Sequence, residues 1–126
     1  LNYELVDFAT ENLGVKYRYG GTTKAGMDCS GLVFTTFNNF NISLPRTSTA
    51  MATQGEKISI KKAQVGDLIF FKTNGSKNIN HVGIITEVLN DAIKFIHSST
   101  QKGVIISSTA EAYYDKSFAQ INRVIN

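Results

Sequence analysis

One thiol and two imidazoles are the groups in this chain best suited to covalent chemistry. Cys29 is the only cysteine among 126 residues, and it stands between Asp28 and Ser30 in the run AGMDCSGLVFTTF. His81 and His97 are the only histidines; the first opens HVGII and the second falls near the end of KFIHSS. A single cysteine excludes an intramolecular disulfide and a cysteine-rich zinc site, so what remains is a free thiol. The histidines lack the H-x-x-x-H spacing of a helical metal site, which weighs against zinc. A thiol beside one imidazole has a base to take its proton, and a second imidazole on the far nitrogen of the first would fix its tautomer and orientation. Cys29, His81 and His97 therefore form a candidate nucleophile, base and orienter.

That reading needs elements that bring the three together. Leu1, Leu5, Ala9 and Leu13 recur every four residues, predicting a first helix that Gly14 ends as its C′ residue. VKYRYGGTTKAGM then reads as a loop, with Tyr17 and Tyr19 alternating before a glycine pair. Asp28 is a favoured N-cap, and Val33, Phe37 and Phe40 share one face of a second helix in which Cys29 is the first residue. The unpaired N–H groups of a first turn favour a thiolate, so this position predicts a lowered thiol pKa. A short third helix is expected from near Thr47 to Gln54, between Pro45 and Gly55.

The second half reads as strands: DLIFFK (67–72), HVGIITEVL (81–89), AIKFIHSS (92–99), GVIISS (103–108) and FAQINRVIN (118–126). Their connections are too short for crossover helices, so the sheet is expected to be mainly antiparallel and the fold class α+β. Pairing of 81–89 with 92–99 about the LND turn sets the start of one strand beside the end of the other. His81 and His97 then become neighbours.

Composition narrows the function classes. With 42% hydrophobic and 18% charged residues, positions 1–126 read as one globular domain, without repeats or an apolar run long enough to cross a membrane. The net charge of +3 comes with scattered lysines, the densest cluster being Lys61 and Lys62, so nucleic acid is not indicated. A mildly basic surface suits an acidic polymer only loosely. The first residue is Leu1 rather than methionine, which is compatible with an export signal, a lipid-anchor segment or another domain upstream.

VKYRYGGTTKAGMDCSGLV, LPRTSTAMATQG, VGDLIFF, INHVGIITE and FIHSSTQKGVIISS together resemble the NlpC-type cysteine peptidases of bacterial cell walls, and among them the Spr-type murein endopeptidases. The likeness runs from about Gly14 to about Val124. It implies a compact, permuted papain-like α+β domain with the cysteine helix packed on a sheet carrying both histidines. Carried over residue by residue, it makes Cys29 the nucleophile, His81 the general base and later acid, and His97 the third member. Tyr17 matches a family tyrosine whose hydroxyl points toward the cysteine, and it could equally be a core aromatic. Asp28 and Ser30 match residues of the substrate groove, although an N-cap and a first-turn serine need no such role. The Cys29 N–H is the natural oxyanion donor. Gly20, Gly21 and Gly31 read as backbone requirements, Tyr19 as packing, and Arg46 and Asp67 as anchors of a loop and of the turn before a strand.

The implied reaction is amide hydrolysis through a thioester, with no metal or other cofactor. The implied substrate is the stem peptide of peptidoglycan, cut at the D-alanine to diaminopimelate cross-link or at the γ-D-glutamyl to diaminopimelate bond. The resemblance also implies the cell envelope, periplasmic or secreted, with an outer-membrane lipid anchor outside this chain in Spr-type relatives. A secreted antibacterial hydrolase and a non-catalytic wall-binding module are the remaining alternatives; a degenerate module would be expected to have lost the cysteine or a histidine.

Overall fold

The computed structural model describes residues 1–125. Helix α1 (Asn2–Thr10) is followed by a two-stranded ribbon, β1 (Thr22–Thr23) and β2 (Gly26–Met27), then by α2 (Cys29–Asn38) and α3 (Ser48–Met51). A short strand β3 (Glu56–Ile58) and a 3-10 turn (Ile60–Lys62) lead into β4 (Leu68–Phe71), β5 (His81–Val88), β6 (Ile93–Ser99) and β7 (Gly103–Ser108). Helix α4 (Ala112–Ser117) and strand β8 (Phe118–Arg123) complete the chain. The six-stranded sheet has the order β3-β8-β4-β5-β6-β7, with every neighbouring pair antiparallel, which bears out the α+β expectation. The expected last strand thus ends at Arg123, and Asn126 lies outside the described residues.

Both faces of the sheet are covered, which is why β4 reads as an unbroken apolar run rather than an alternating one. Leu68, Phe70, Val82, Ile84 and Ile96 meet Leu32, Val33 and Phe37 of α2 in one buried cluster. Ile69, Phe71, Ile85, Phe95 and Ile121 form the other, lidded by Tyr114 of α4 and by Phe118. Phe37 is fully buried, a burial that contributes roughly 2–3 kcal/mol toward holding α2 on the sheet.

Three helix boundaries differ from expectation. Helix α1 stops at Thr10, and Leu1 and Leu13 are 52% and 48% exposed, so only Leu5 and Ala9 of the predicted stripe are buried. The cause is tertiary: the Gly14 N–H donates to the Val104 carbonyl at 3.0 Å and the Val104 N–H to the Val15 carbonyl at 2.9 Å, drawing the chain onto β7. Helix α2 ends at Asn38, where the Ile42 N–H returns to the Phe37 carbonyl and Asn41 takes φ +62, so Phe40 leaves the helix face and meets Phe8 edge-on. Helix α3 is a single turn capped by Thr47, whose hydroxyl accepts from the Ala50 N–H at 3.2 Å.

Candidate active site

Cys29 is the first residue of α2, as its neighbours predict. Asp28 has extended backbone and accepts the Gly31 N–H at 2.7 Å, which starts the helix immediately after it. The half-buried sulfur reaches the start of β5, 3.9 Å from the Asn80 carbonyl oxygen, with the backbone N–H groups of Val82, Ser30 and Cys29 nearby. Asn80 and Val82 flank His81, so the thiol meets the sheet at that residue. Among the described residues no hydrogen bond joins the thiol to His81.

The expected lowering of the thiol pKa is not what the site produces. Burial pushes the Cys29 thiol up and the Asp28 carboxylate adds to the rise, while the three N–H groups oppose it and lose. A helix start favours the thiolate only to the extent that its surroundings can solvate charge, and here desolvation is the larger effect.

Both histidines alternate along their strands with residues of the α2 face, so they emerge on the opposite face beside Phe71, Phe95 and Tyr114. The hairpin places them together as expected: His81 Nε2 lies 2.8 Å from His97 Nδ1, with the rings nearly perpendicular. Pairing of Ile84 with Ile96 and of Ile85 with Phe95, continued by one residue, sets Gly83 opposite His97. A Cβ at Gly83 would stand 3.2 Å from His97 Cβ and 2.8 Å from the Ile96 carbonyl oxygen, so the glycine leaves the imidazole room to lean on His81.

Burial lowers the pKa of His81 to about 4, and burial together with the neighbouring His81 lowers that of His97 to about 3. Unfolded histidine titrates near 6.5, so below that pH the unfolded chain binds protons that the folded one refuses. The contribution of the pair is complete above about pH 6.5 and is lost as pH falls toward 4. Thermal melts from pH 7.5 to pH 4 are expected to show Tm falling through this window, with a shallower fall in His97→Asn; an identical slope in the two proteins would contradict the assignment.

The remaining residues divide. Tyr17 is half-buried, and burial first, then the neighbouring Cys29 and Asp28, raise its phenol pKa. Asp28 and Ser30 are largely buried, 8% and 7% exposed. Asp28 accepts from the Gly20 N–H at 2.7 Å and from Arg46 Nη2 at 2.9 Å, while Arg46 Nη1 donates to Ser30 Oγ at 2.6 Å. Together these bonds form a buried brace that holds the helix start. Arg46 anchors that brace, and Asp67 accepts the Gln64 N–H and pairs with Arg123, so both do the structural work expected of them. Gly31 is obligatory, because a Cβ there would collide with the Gly21 carbonyl. Tyr19, expected to pack, is 88% exposed.

Two residues at the site escaped the reading of the sequence. Ser107 of β7 lies 2.7 Å from His97 Nε2, and the Tyr114 ring stands edge-on to His97 at 5.2 Å. Counting register across the three-residue turn 100–102 would have found Ser107; nothing local marks Tyr114. Both line a depression of about 390 Å3 that also contains His81, Lys102 and Glu111. A larger cleft of about 560 Å3 between Ile60, Val88, Leu89 and Phe118 contains none of the site residues. The described residues hold no cluster of three or more His, Cys, Asp or Glu suited to a metal ion, and no helix long and apolar enough to cross a membrane.

Comparison with known proteins assigns this α+β fold to a family. The chain belongs to the NlpC/P60 family, whose model matches residues 14–123. It is similar to the probable endopeptidase NlpC of Escherichia coli, with 43% identity over 112 residues covering 88% of this chain and 70% of that protein. It is also similar to the Escherichia coli murein DD-endopeptidase MepS/murein LD-carboxypeptidase, with 40% identity over 114 residues covering 90% of this chain and 57% of that protein. Among solved structures, an NlpC/P60 family protein from Bacillus cereus superposes with a TM-score of 0.88 at 27% identity, over 100% of this chain and 41% of that one. This chain therefore spans roughly 40–70% of the length of these relatives.

Proposed function

We propose that this chain is a cysteine peptidase domain that hydrolyses amide bonds in the stem peptides of peptidoglycan, acting in the cell envelope on the D-alanine to diaminopimelate cross-link. The observation that carries the reading is Cys29 at a helix start, its sulfur 3.9 Å from the carbonyl of Asn80, the residue before His81, whose Nε2 lies 2.8 Å from His97 Nδ1. His81 Nε2 is committed to His97, so Nδ1 is the nitrogen left to take the thiol proton. The sulfur attacks the scissile carbonyl, and the developing oxyanion is received by the Cys29 N–H, which bonds to no backbone carbonyl among the described residues. His81 then protonates the leaving amine, a thioester forms, and water activated by the same imidazole releases the acid. The cross-link is favoured because a D-alanine to diaminopimelate amide joins two D-centres, the bond type in the printed name of the relative that is 40% identical.

Digestion of purified murein, of cross-linked muropeptide dimers and of monomeric stem peptides, read by mass spectrometry, tests the proposal. Dimers are expected to fall to intact tetrapeptide monomers. Cleavage inside monomer stems would replace the cross-link with the γ-D-glutamyl bond, and no cleavage of any of the three would overturn the reading in favour of a binding module.

A further inference from the structure

The hydrogen-bonded chain does not end at His97. Its Nδ1 faces His81, and its Nε2 faces Ser107 Oγ at 2.7 Å. His97 pairs with Ile105 across β6 and β7, so Ser107, two residues on, projects from the same sheet face beside it. The His97 ring is fully buried, and its other close neighbours are the rings of Phe95 at 4.8 Å and Tyr114 at 5.2 Å. Ser107 itself is 6% exposed, and Tyr114 lines the same depression.

A neutral imidazole carries one N–H and one lone pair, so each ring constrains the next. For His81 to offer a bare Nδ1 to the thiol, its hydrogen must sit on Nε2 and point at His97. His97 must then accept at Nδ1 and carry its own hydrogen on Nε2, where a buried acceptor is required. Among the described residues the one hydrogen-bond partner at that nitrogen is the Ser107 hydroxyl.

We propose that Ser107 is a positioning residue of the active site: by accepting the His97 Nε2–H it sets the tautomer of both histidines and leaves His81 Nδ1 free to deprotonate Cys29. The inference rests on the reading of Cys29 and His81 as nucleophile and base. Without the hydroxyl, a hydrogen on His97 Nε2 has no partner, whereas one on Nδ1 keeps its bond to His81. The second tautomer then prevails, His81 accepts at Nε2, and its own hydrogen moves to Nδ1, the nitrogen that the proposed mechanism assigns to the thiol proton. The base is closed by a change two residues away in the relay.

Ser107→Ala and Ser107→Thr, compared with the unsubstituted protein, test this in two independent ways. On cross-linked muropeptide, Ser107→Ala is expected to lose roughly 10²-fold in kcat with KM unchanged, and Ser107→Thr to restore most of it. Long-range proton–nitrogen correlation spectra of protein labelled with 15N-histidine are expected to show the His97 hydrogen on Nε2 in the unsubstituted protein and Ser107→Thr, and on Nδ1 in Ser107→Ala. A folded Ser107→Ala with full kcat, or the same tautomer in all three, overturns the proposal. Should Ser107→Ala fail to fold, a hydrogen on His97 Nδ1 in the unsubstituted protein overturns it, and one on Nε2 with activity kept in Ser107→Thr supports it. Absence of hydrolysis by the unsubstituted protein would sink the peptidase reading, while the spectra would still decide the tautomer.

Discussion

Cys29→Ala is expected to lower the rate of murein hydrolysis by at least about 10³-fold while moving Tm by no more than roughly 3 °C. The two halves of that expectation have separate causes. On the proposed mechanism no thioester can form without the sulfur, and the histidine pair and N–H groups can only assist direct attack by water. The fold, by contrast, loses one half-buried atom whose hydrogen-bonding contact is a 3.9 Å approach to the Asn80 carbonyl. Asp28 still caps the helix through Gly31. Product formation followed by chromatography, with melting followed by circular dichroism on the same samples, checks both. A variant that melts normally and keeps a tenth of the rate would remove Cys29 from the mechanism.

Asp28→Ala should have the opposite profile, with stability lost first and activity as a consequence. The carboxylate accepts two N–H groups at 2.7 Å and the Arg46 guanidinium at 2.9 Å, at 8% exposure. Removing it takes away a helix cap and leaves a partly buried cation without its counter-ion, together costing about 3–4 kcal/mol. For a domain of this size that is a fall in Tm of roughly 10–15 °C. Asp28→Asn keeps the cap but not the ion pair and should fall between. Activity measured well below the melting point is expected to drop about 10²-fold, because the first turn that aims the sulfur is no longer held. A normal Tm in Asp28→Ala would mean that the brace is not what holds this turn.

These two predictions draw on different sources. The cysteine's place in the helix, its aspartate cap and the meeting of the histidines are local facts, readable from N-cap chemistry and from a hairpin turn between two apolar runs. The direction of the thiol pKa is not local, since it depends on how much of α2 and β5 covers the sulfur. Nor is the brace: Arg46 lies 18 residues from Asp28 across an irregular segment, and only the fold puts the two at 2.9 Å. Ser107 is an intermediate case, visible once register is counted from His97. Strand β3 and helix α4 were not anticipated because EKI and AYYDKS are short and mostly exposed, and so carry no periodicity to read. The exposure of Tyr19 was likewise hidden, since alternation with Tyr17 says that the two point apart but not which one points inward.

The sheet order has a consequence for how the chain is made. Strands β4 to β7 are consecutive in both sequence and space, so this meander, with both histidines, can zip from local hairpins. Strand β8 is different, because it inserts between β3 and β4 and pairs with both. Until residues 118–123 leave the ribosome, β4 presents an unpaired edge and β3 has no partner. The histidine half of the site can thus be assembled during synthesis, whereas closure of the sheet waits for a long-range pairing that forms late and slowly. During that interval the apolar β4 edge is the part of the nascent chain most exposed to pairing with another copy.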